Sequence, residues 1–316
     1  MRDGVCSLFV LRAIYLRIPY RRQSGKPRGL WREFFLRIGV KECRGEIGET
    51  NRRNPSTIKP SEFFRRFFML LAVLPLVLAL APQQNSRVEY VVAELVRSGL
   101  SQQEADALFR DPRLRLYPPR TIRPRKIDWD QFIARLIVPA SVSPGSQFLL
   151  EHQEALRRAE EQFGVGKEVL AALFRVESNF GQNTGRYVTF NVFYTFLLRS
   201  TEEKRWRWAA ENLVSLAAYC KAARTDCFEI RGSYAGALGP AQFLPSSLQT
   251  YGRDGSGDAL VNPFDPADAL FSAANFLIEH GWHADKIGAL GKYYGSANGY
   301  PRAILAYAEA LGMTPR

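Results

Sequence analysis

The sequence predicts an all-α fold. Beyond residue 82 apolar residues recur mainly three and four positions apart, the spacing of one helix face, while alternating strand-like runs are scarce. Helix punctuation falls at matching places: Ser101 followed by Glu104, Gly164 after a periodic run, and Asp265-Pro266 ahead of another. In chain order, Ser86 caps a helix running through Val96, and Ser101 with Glu104 forms a capping box for a short second helix. Residues 110–126 break the pattern with Pro118, Pro119 and Pro124 and carry many Arg, which reads as a solvated, partly extended connection. A long amphipathic helix is predicted from Gln147 to Phe163 with Gly164 as its stop, and a second from Lys167 to Ser178. A third starts at Thr201 and runs through Trp208, Leu213, Leu216 and Tyr219. Asp265-Pro266 opens the next, with Pro at its first position and Gly281 as its end, and Pro301 opens the last, ending near Gly312. No internal repeat and no low-complexity segment is present.

The 316 residues fit one large or two small domains, and with 46% hydrophobic and 23% charged residues the chain can bury a core. Three His and four Cys are too few for a multi-zinc architecture. The net charge of +12 points first to a polyanion partner, but its distribution redirects that reading. Residues 1–81 hold 16 Lys+Arg against 6 Asp+Glu, whereas residues 82–316 hold 27 against 25. The later region is therefore not expected to bind nucleic acid. Arg65 and Arg66 precede an uncharged run, Phe67 to Ala81, that is short for a spanning helix and has small residues at its end. This is a secretory signal pattern, with candidate cleavage after Ala79 or Ala81 and no Cys to carry a lipid anchor. It lies far from residue 1. Two readings follow: translation beginning nearer residue 60, or a tail ahead of an uncleaved membrane anchor at 67–81. The expected organisation is a basic leader at 1–62, a signal or anchor at 63–81, an N-terminal helical and linker part at 82–143, and a main domain at 144–316.

The helix Lys167–Ser178 carries a carboxylate on its apolar face. Glu177 lies three residues after Phe174 and seven after Leu170, so it projects with them. It also sits in the last turn, where the helix dipole disfavours negative charge. Both effects raise a carboxyl pKa and suit a general acid. The competing reading is a Glu that curls out to water at a helix end. A second segment, Ser233 to Pro245, combines Gly236 and Gly239 with Ser233, Tyr234 and Gln242. The glycines permit close backbone approach, and the polar side chains are of the kind that orient sugar hydroxyl and acetamido groups. Its alternative is a tight packing loop.

The ordered motifs VESNFG, GSYAGALGPAQFLPSS and DGSGD…NPFDPADA, with WDQFI…VPASVSPG, EALRRAEEQFGV and ANFLIEHGW around them, resemble the lytic murein transglycosylase B family of the lysozyme-like superfamily. The resemblance covers most of residues 88–316. It implies a lysozyme-like catalytic domain with an N-terminal helical extension. It further implies cleavage of the β-1,4 bond between N-acetylmuramic acid and N-acetylglucosamine without water, leaving 1,6-anhydro ends. By that resemblance Glu177 is the sole acid/base, Ser233 and Gln242 contact sugar near the cleavage point, and Tyr293 and Tyr300 belong to a substrate-binding segment. That segment often reads Tyr-Asn in related enzymes, and here Tyr294 stands where Asn is expected. Glycan strands of peptidoglycan are the implied partner, with location in the periplasm or cell envelope.

Asp254, Ser256, Asp258 and Asp265 have oxygen ligands at spacings like an EF-hand, although Ala259 replaces the tight-turn Gly and Asp265 the longer Glu. The resemblance implies no required cofactor and allows a structural calcium or sodium ion there; the plainer role of Asp265 is to cap the helix at Pro266. In an exported chain Cys220 and Cys227 are expected to pair, the alternative being two thiols. His280 and His283 read as a helix end with Trp282 packed nearby, and of Trp206 and Trp208 at most one faces the core. Two other functions stand beside the leading one: a non-catalytic wall-binding protein and a hydrolytic muramidase.

Overall fold

The computed structural model describes residues 85–118, 127–295 and 298–313. The basic leader and the apolar run 67–81 lie outside them, as do residues 119–126 of the proline-rich connection. Helices dominate the described residues. The first, α1, spans 85–97 and buries Val91 and Leu95, one turn apart. Its start precedes Ser86, so Ser86 lies within the helix rather than capping it. Helix α2 (Gln102–Arg110) has the expected capping box, with Ser101 accepting from the Glu104 N–H and Glu104 from the Ser101 N–H.

Next come α3 (Trp129–Leu136), α4 (Pro139–Glu151), α5 (Gln153–Phe163) and α6 (Lys167–Ser178). The helix predicted over Gln147–Phe163 is two helices, broken at His152, and the first begins eight residues earlier than expected, at Pro139. Pro144 argued against that start, since an interior proline removes a helix hydrogen bond. Burial overrides it. Ser141, Val142, Gly145 and Phe148 are buried, and at Gly145 the side chains of Tyr307 and Leu311 press so close that a Cβ would collide with them. Gly164 ends α5 in the left-handed conformation, its N–H bonded to Glu160 O, and α6 has its predicted bounds.

A two-residue antiparallel ladder pairs β1 (Tyr187–Val188) with β2 (Arg231–Gly232), in the register Tyr187↔Gly232 and Val188↔Arg231. Between the strands lie α7 (Thr189–Arg199) and α8 (Glu203–Ala222). The sequence reading placed no helix here; aromatic and β-branched residues are weak helix formers, and burial of Phe190, Val192, Phe193 and Leu197 makes α7. Cys220 and Cys227 are bridged, closing the end of α8 onto the approach to β2. The remaining helices are α9 (Pro245–Tyr251), α10 (Pro266–Glu279), α11 (Lys286–Tyr294) and α12 (Tyr300–Gly312).

Two apolar clusters form the core. One takes residues from α3 to α6 and from α9 to α12; the other takes α1, α2, α7 and α8 with the Cys220–Cys227 region. The clusters interleave along the chain, because α7 and α8 are inserted between α6 and α9. Trp282 is buried in the first cluster, and His280 caps α10 beside it with Nδ1 2.7 Å from Phe276 O. Trp206 and Trp208 are both half-buried at the second, Trp208 edge-on to Phe193 and Trp206 edge-on to Tyr90.

Lys221 of α8 fastens the α1–α2 corner, its Nζ donating to Gly99 O at 3.0 Å and to Glu104 Oε2 at 3.1 Å. The Glu104 carboxyl, held first by the Ser101 N–H and then by Lys221, is lowered to about 2. A depressed carboxyl contributes stability that is present above its unfolded value and lost as pH falls through the folded one. The Glu104 carboxyl should therefore titrate near 2 by NMR, and Lys221→Met should move that midpoint upward. A wild-type midpoint at the ordinary glutamate value of about 4.3 would show that the corner is not held this way.

Candidate active site

The site is built where α6 ends. This helix buries every residue from Leu170 to Phe174 and from Val176 to Ser178, so Glu177 arrives inside the protein at 8% exposure. Three successive residues then take left-handed backbone: Asn179 (φ 52°), Phe180 (φ 57°) and Gly181 (φ 82°). Only the glycine does so without steric cost. Side chains hold the other two. Arg175 donates to Asn179 Oδ1 at 2.7 Å and to Ser141 Oγ at 2.9 Å, and Asn179 donates on to Gln182 Oε1 at 2.8 Å. The Phe180 ring stacks on Phe148 with centroids 4.9 Å apart, and its N–H returns to Phe174 O.

Ser178 ties this turn to the glycine-rich loop. Its hydroxyl donates to Pro240 O at 2.7 Å and accepts from the Gly181 N–H at 2.8 Å, at 1% exposure. Within the loop Ser233 Oγ accepts the N–H groups of Ala235 and Ala237, and a Leu238↔Phe243 bridge closes the far end. Gln242 lies at φ 54° and donates to Gly239 O at 2.7 Å and to Thr184 O at 3.3 Å, a second link to the turn after Glu177. Gly239, at φ 64°, lets the loop backbone run against the Pro263 carbonyl, where any Cβ would collide. Tyr234 is half-buried in this loop.

Two tyrosines complete the arrangement. Tyr293 Oη donates to Ala241 O at 2.7 Å, which fastens the loop to α11. Tyr300, at 0% exposure, donates its hydroxyl to Glu177 Oε1 at 2.7 Å. Of the residues predicted from sequence, Glu177 and Tyr300 are in direct contact, while Ser233, Tyr234, Gln242 and Tyr293 belong to the loop or its anchor. The tie residue Ser178 was missed; its signal was adjacency to Glu177 in a buried turn, where a lone hydroxyl needs a partner.

The acidic loop lies between α9 and α10. Asp254 accepts the N–H groups of Gly257 and Ala259, which lower its pKa in that order, and Ser256 Oγ donates to it at 3.1 Å. Ala259 takes the left-handed conformation (φ 68°) at the position where a tight-turn glycine was expected. Asp265 caps α10, its Oδ1 accepting from Ala267 and Asp268 N–H. The third carboxylate beside Asp254 and Asp258 is Asp268, and the ligand oxygens of these three lie within 4.8 Å of one another. Asp268 was missed as a ligand candidate because it falls outside the twelve-residue spacing of an EF-hand loop.

Residues 83–291 match the family model described as a transglycosylase SLT domain, and the chain belongs to that family. A membrane-bound lytic murein transglycosylase B of Escherichia coli (strain K12) is 30% identical over 192 residues, 60% of this chain, and the chain spans about half the length of that relative, 53%. Among solved structures, the soluble lytic transglycosylase SltB1 from Pseudomonas aeruginosa aligns over 71% of this chain and 98% of its own with a TM-score of 0.62 and 24% identity. SltB3 of the same organism, in complex with NAG-NAM-pentapeptide, covers 74% of this chain and 80% of its own at a TM-score of 0.62 and 18% identity. An Escherichia coli lytic transglycosylase in complex with calcium covers 72% and 93% at a TM-score of 0.60 and 19% identity. The fold is thus that of the lysozyme-like lytic transglycosylases.

Because one hydroxyl bridges the helix end and the loop, Ser178→Ala should cost about 1–3 kcal/mol in urea unfolding and should speed exchange of the Gly181 amide. An unchanged midpoint with unchanged exchange would show that the bridge does not hold the site.

Proposed function

We propose that this chain is an exported peptidoglycan lytic transglycosylase in which Glu177 serves alone as acid and base. The observation that carries the reading is the buried Glu177 carboxyl, hydrogen-bonded by Tyr300 and set beside an anchored polar loop. Among the described residues the other buried carboxylate is Asp268, whose oxygens accept the N–H groups of Gly255, Ser256 and Asn262. Glu211, Asp226 and Glu229 are exposed.

The chemistry follows from having one carboxyl beside the loop, since the Asp268 oxygens are taken up by backbone N–H groups. Burial favours the neutral acid over the carboxylate. Glu177 gives its proton to the glycosidic oxygen as the bond from the muramic anomeric carbon breaks, so the glucosamine side leaves as an alcohol. The carboxylate left behind takes the proton of the muramic C6 hydroxyl, and that oxygen closes on the anomeric carbon as a 1,6-anhydro ring. Glu177 ends protonated, and no water is consumed. Ordinary glycosidases use two carboxyl groups, the second to act as nucleophile or to activate water. Here the nucleophile belongs to the substrate, so proximity replaces the second group. Ser233, Tyr234 and Gln242 belong to the loop wall against which the sugar lies, and Tyr293 anchors that loop. Action on peptidoglycan places the chain in the cell envelope. The signal pattern at residues 63–81 supports export, by cleavage or by anchoring at 67–81, and the Cys220–Cys227 bridge suits an oxidising compartment. No helix among the described residues is long and apolar enough to cross a membrane.

The hard oxygen donors of Asp254, Ser256, Asp258 and Asp268 fit a calcium or sodium ion, which would offset the charge of the three carboxylates and stiffen the loop before α10. Its role is structural. Calcium at about a hundred times its dissociation constant should then stabilise the fold by about 2.7 kcal/mol, EDTA should reverse the rise in melting temperature, and Asp258→Ala should abolish it. A melting temperature indifferent to calcium and sodium would refute the site.

Purified glycan strands digested with the protein should yield anhydromuramyl ends by mass spectrometry. Glu177→Gln should lower turnover by at least about a thousandfold with the fold intact by circular dichroism. Reducing ends would instead identify a hydrolytic muramidase, and binding without cleavage a wall-binding protein.

A further inference from the structure

A tyrosine hydroxyl holds a carboxylate in place only if its own ring is held. Tyr300 has two side-chain torsions, and it is the first residue of α12. Its ring lies against that of Tyr294, with centroids 4.5 Å apart and planes 9° from parallel. Tyr294 is buried, and the edge of Trp129 meets its ring at 6.1 Å and 84°. Trp129 belongs to α3, remote in sequence from the rest of the group. It is fixed in turn by Phe132, edge-on at 5.7 Å. It also covers Gly299, the residue before Tyr300, so closely that a Cβ there would collide with Trp129 Cβ, Cγ and Cδ2. Two residues further along α12, Arg302 Nη2 donates to Asp130 Oδ1 at 2.6 Å, pinning the start of α3 to the start of α12.

We propose that Tyr294 and Trp129 are positioning residues that act through Tyr300, the stacked ring and its lateral support holding the Tyr300 hydroxyl on Glu177. Their effect reaches the carboxyl through the stacked Tyr300 ring and its hydrogen bond to Glu177. An offset-stacked pair and an edge contact each contribute about 0.5–1.5 kcal/mol beyond burial, enough to favour one ring orientation over its neighbours. The start of α3, outside the main catalytic helices in sequence, thereby becomes part of the site. The inference rests on the reading of Glu177 as acid/base.

The test is a double-mutant cycle on glycan cleavage. Tyr300→Phe, which removes only the hydroxyl, should lower kcat. Tyr294→Leu, which removes the stacked ring, should lower kcat by about ten- to a hundredfold with KM little changed. The double variant should be no slower than Tyr300→Phe alone, since without the Tyr300 hydroxyl the stack has nothing left to position. Tyr294→Phe keeps the ring and should restore turnover to within about threefold of wild type, a factor worth less than 1 kcal/mol. Trp129→Leu approaches the same stack from its other side and should resemble Tyr294→Leu if the latter folds poorly. A readout independent of turnover is the carboxyl ¹³C resonance of Glu177, which Tyr294→Leu should move in the same sense as Tyr300→Phe. Losses that multiply in the double variant, a change confined to KM, or an unmoved Glu177 resonance would overturn the proposal. A wild-type protein that leaves glycan uncut would sink the functional reading, and the resonance would still decide this one.

Discussion

Glu177 occupies a place that disfavours a negative charge twice over: it is buried, and it sits in the last turn of a helix whose dipole end is also negative. Burying an unsatisfied carboxyl costs several kcal/mol, so the surroundings of α6 must supply a donor without opening the site to water. The Tyr300 hydroxyl is that donor. Much of the local architecture can be understood as what is needed to bring α12 back across the end of α6, with Tyr300 at the first position of the returning helix. Gly145 in α4 belongs to the same requirement, because it lets Tyr307 and Leu311 of α12 settle against that helix.

A buried carboxyl at a helix end also needs a way out for the backbone. Three left-handed residues in a row turn the chain away from Glu177 at once, and two of them are not glycine. Such a turn persists only where its surroundings over-determine it. Arg175, Ser178 and the Phe148–Phe180 stack do so. The glycine-rich loop has the complementary construction: its polar side chains are turned largely on the loop's own backbone, as with Ser233 Oγ and Gln242 Nε2. Rigidity of that kind suits the proposed cleavage, since preorganised groups need no reorganisation during reaction.

How much of this was legible in the sequence depended on range. Local signals were strong: the Ser101 capping box, the bounds of α6, the Gly164 stop and the Asp265 cap all depend on residues within four positions of one another. The apolar-face position of Glu177 was legible for the same reason. What could not be read was any feature set by tertiary contact. Helix α4 runs through Pro144 because α12 packs on it, and α7 forms from poor helix formers because it is sandwiched in the second cluster. Asp268 stands beside Asp254 and Asp258 only because α10 folds back beneath the loop; nothing in the spacing of the three announces it. Tyr294 was visible as a departure from the resembling sequences, yet its meaning appears only when Trp129, some 165 positions earlier, lies at its edge.

That last contact bears on how the two ends of the described chain divide the work. The helices nearest the start do not form a separate appendage in packing terms. Helices α1 and α2 join the cluster of α7 and α8, while α3 joins the cluster of α6 and α12. The glycine-rich loop contributes Leu238 to one cluster and Ala241 and Phe243 to the other, so the site wall is seated in both. Loosening either cluster would therefore be felt at Ser178–Pro240 and at the loop behind it. An N-terminal extension that merely decorated a catalytic core would leave the site indifferent to its loss. One whose helices complete the packing beneath the loop, and whose Trp129 braces the Tyr294 ring stacked on Tyr300, makes the site a property of the whole described chain.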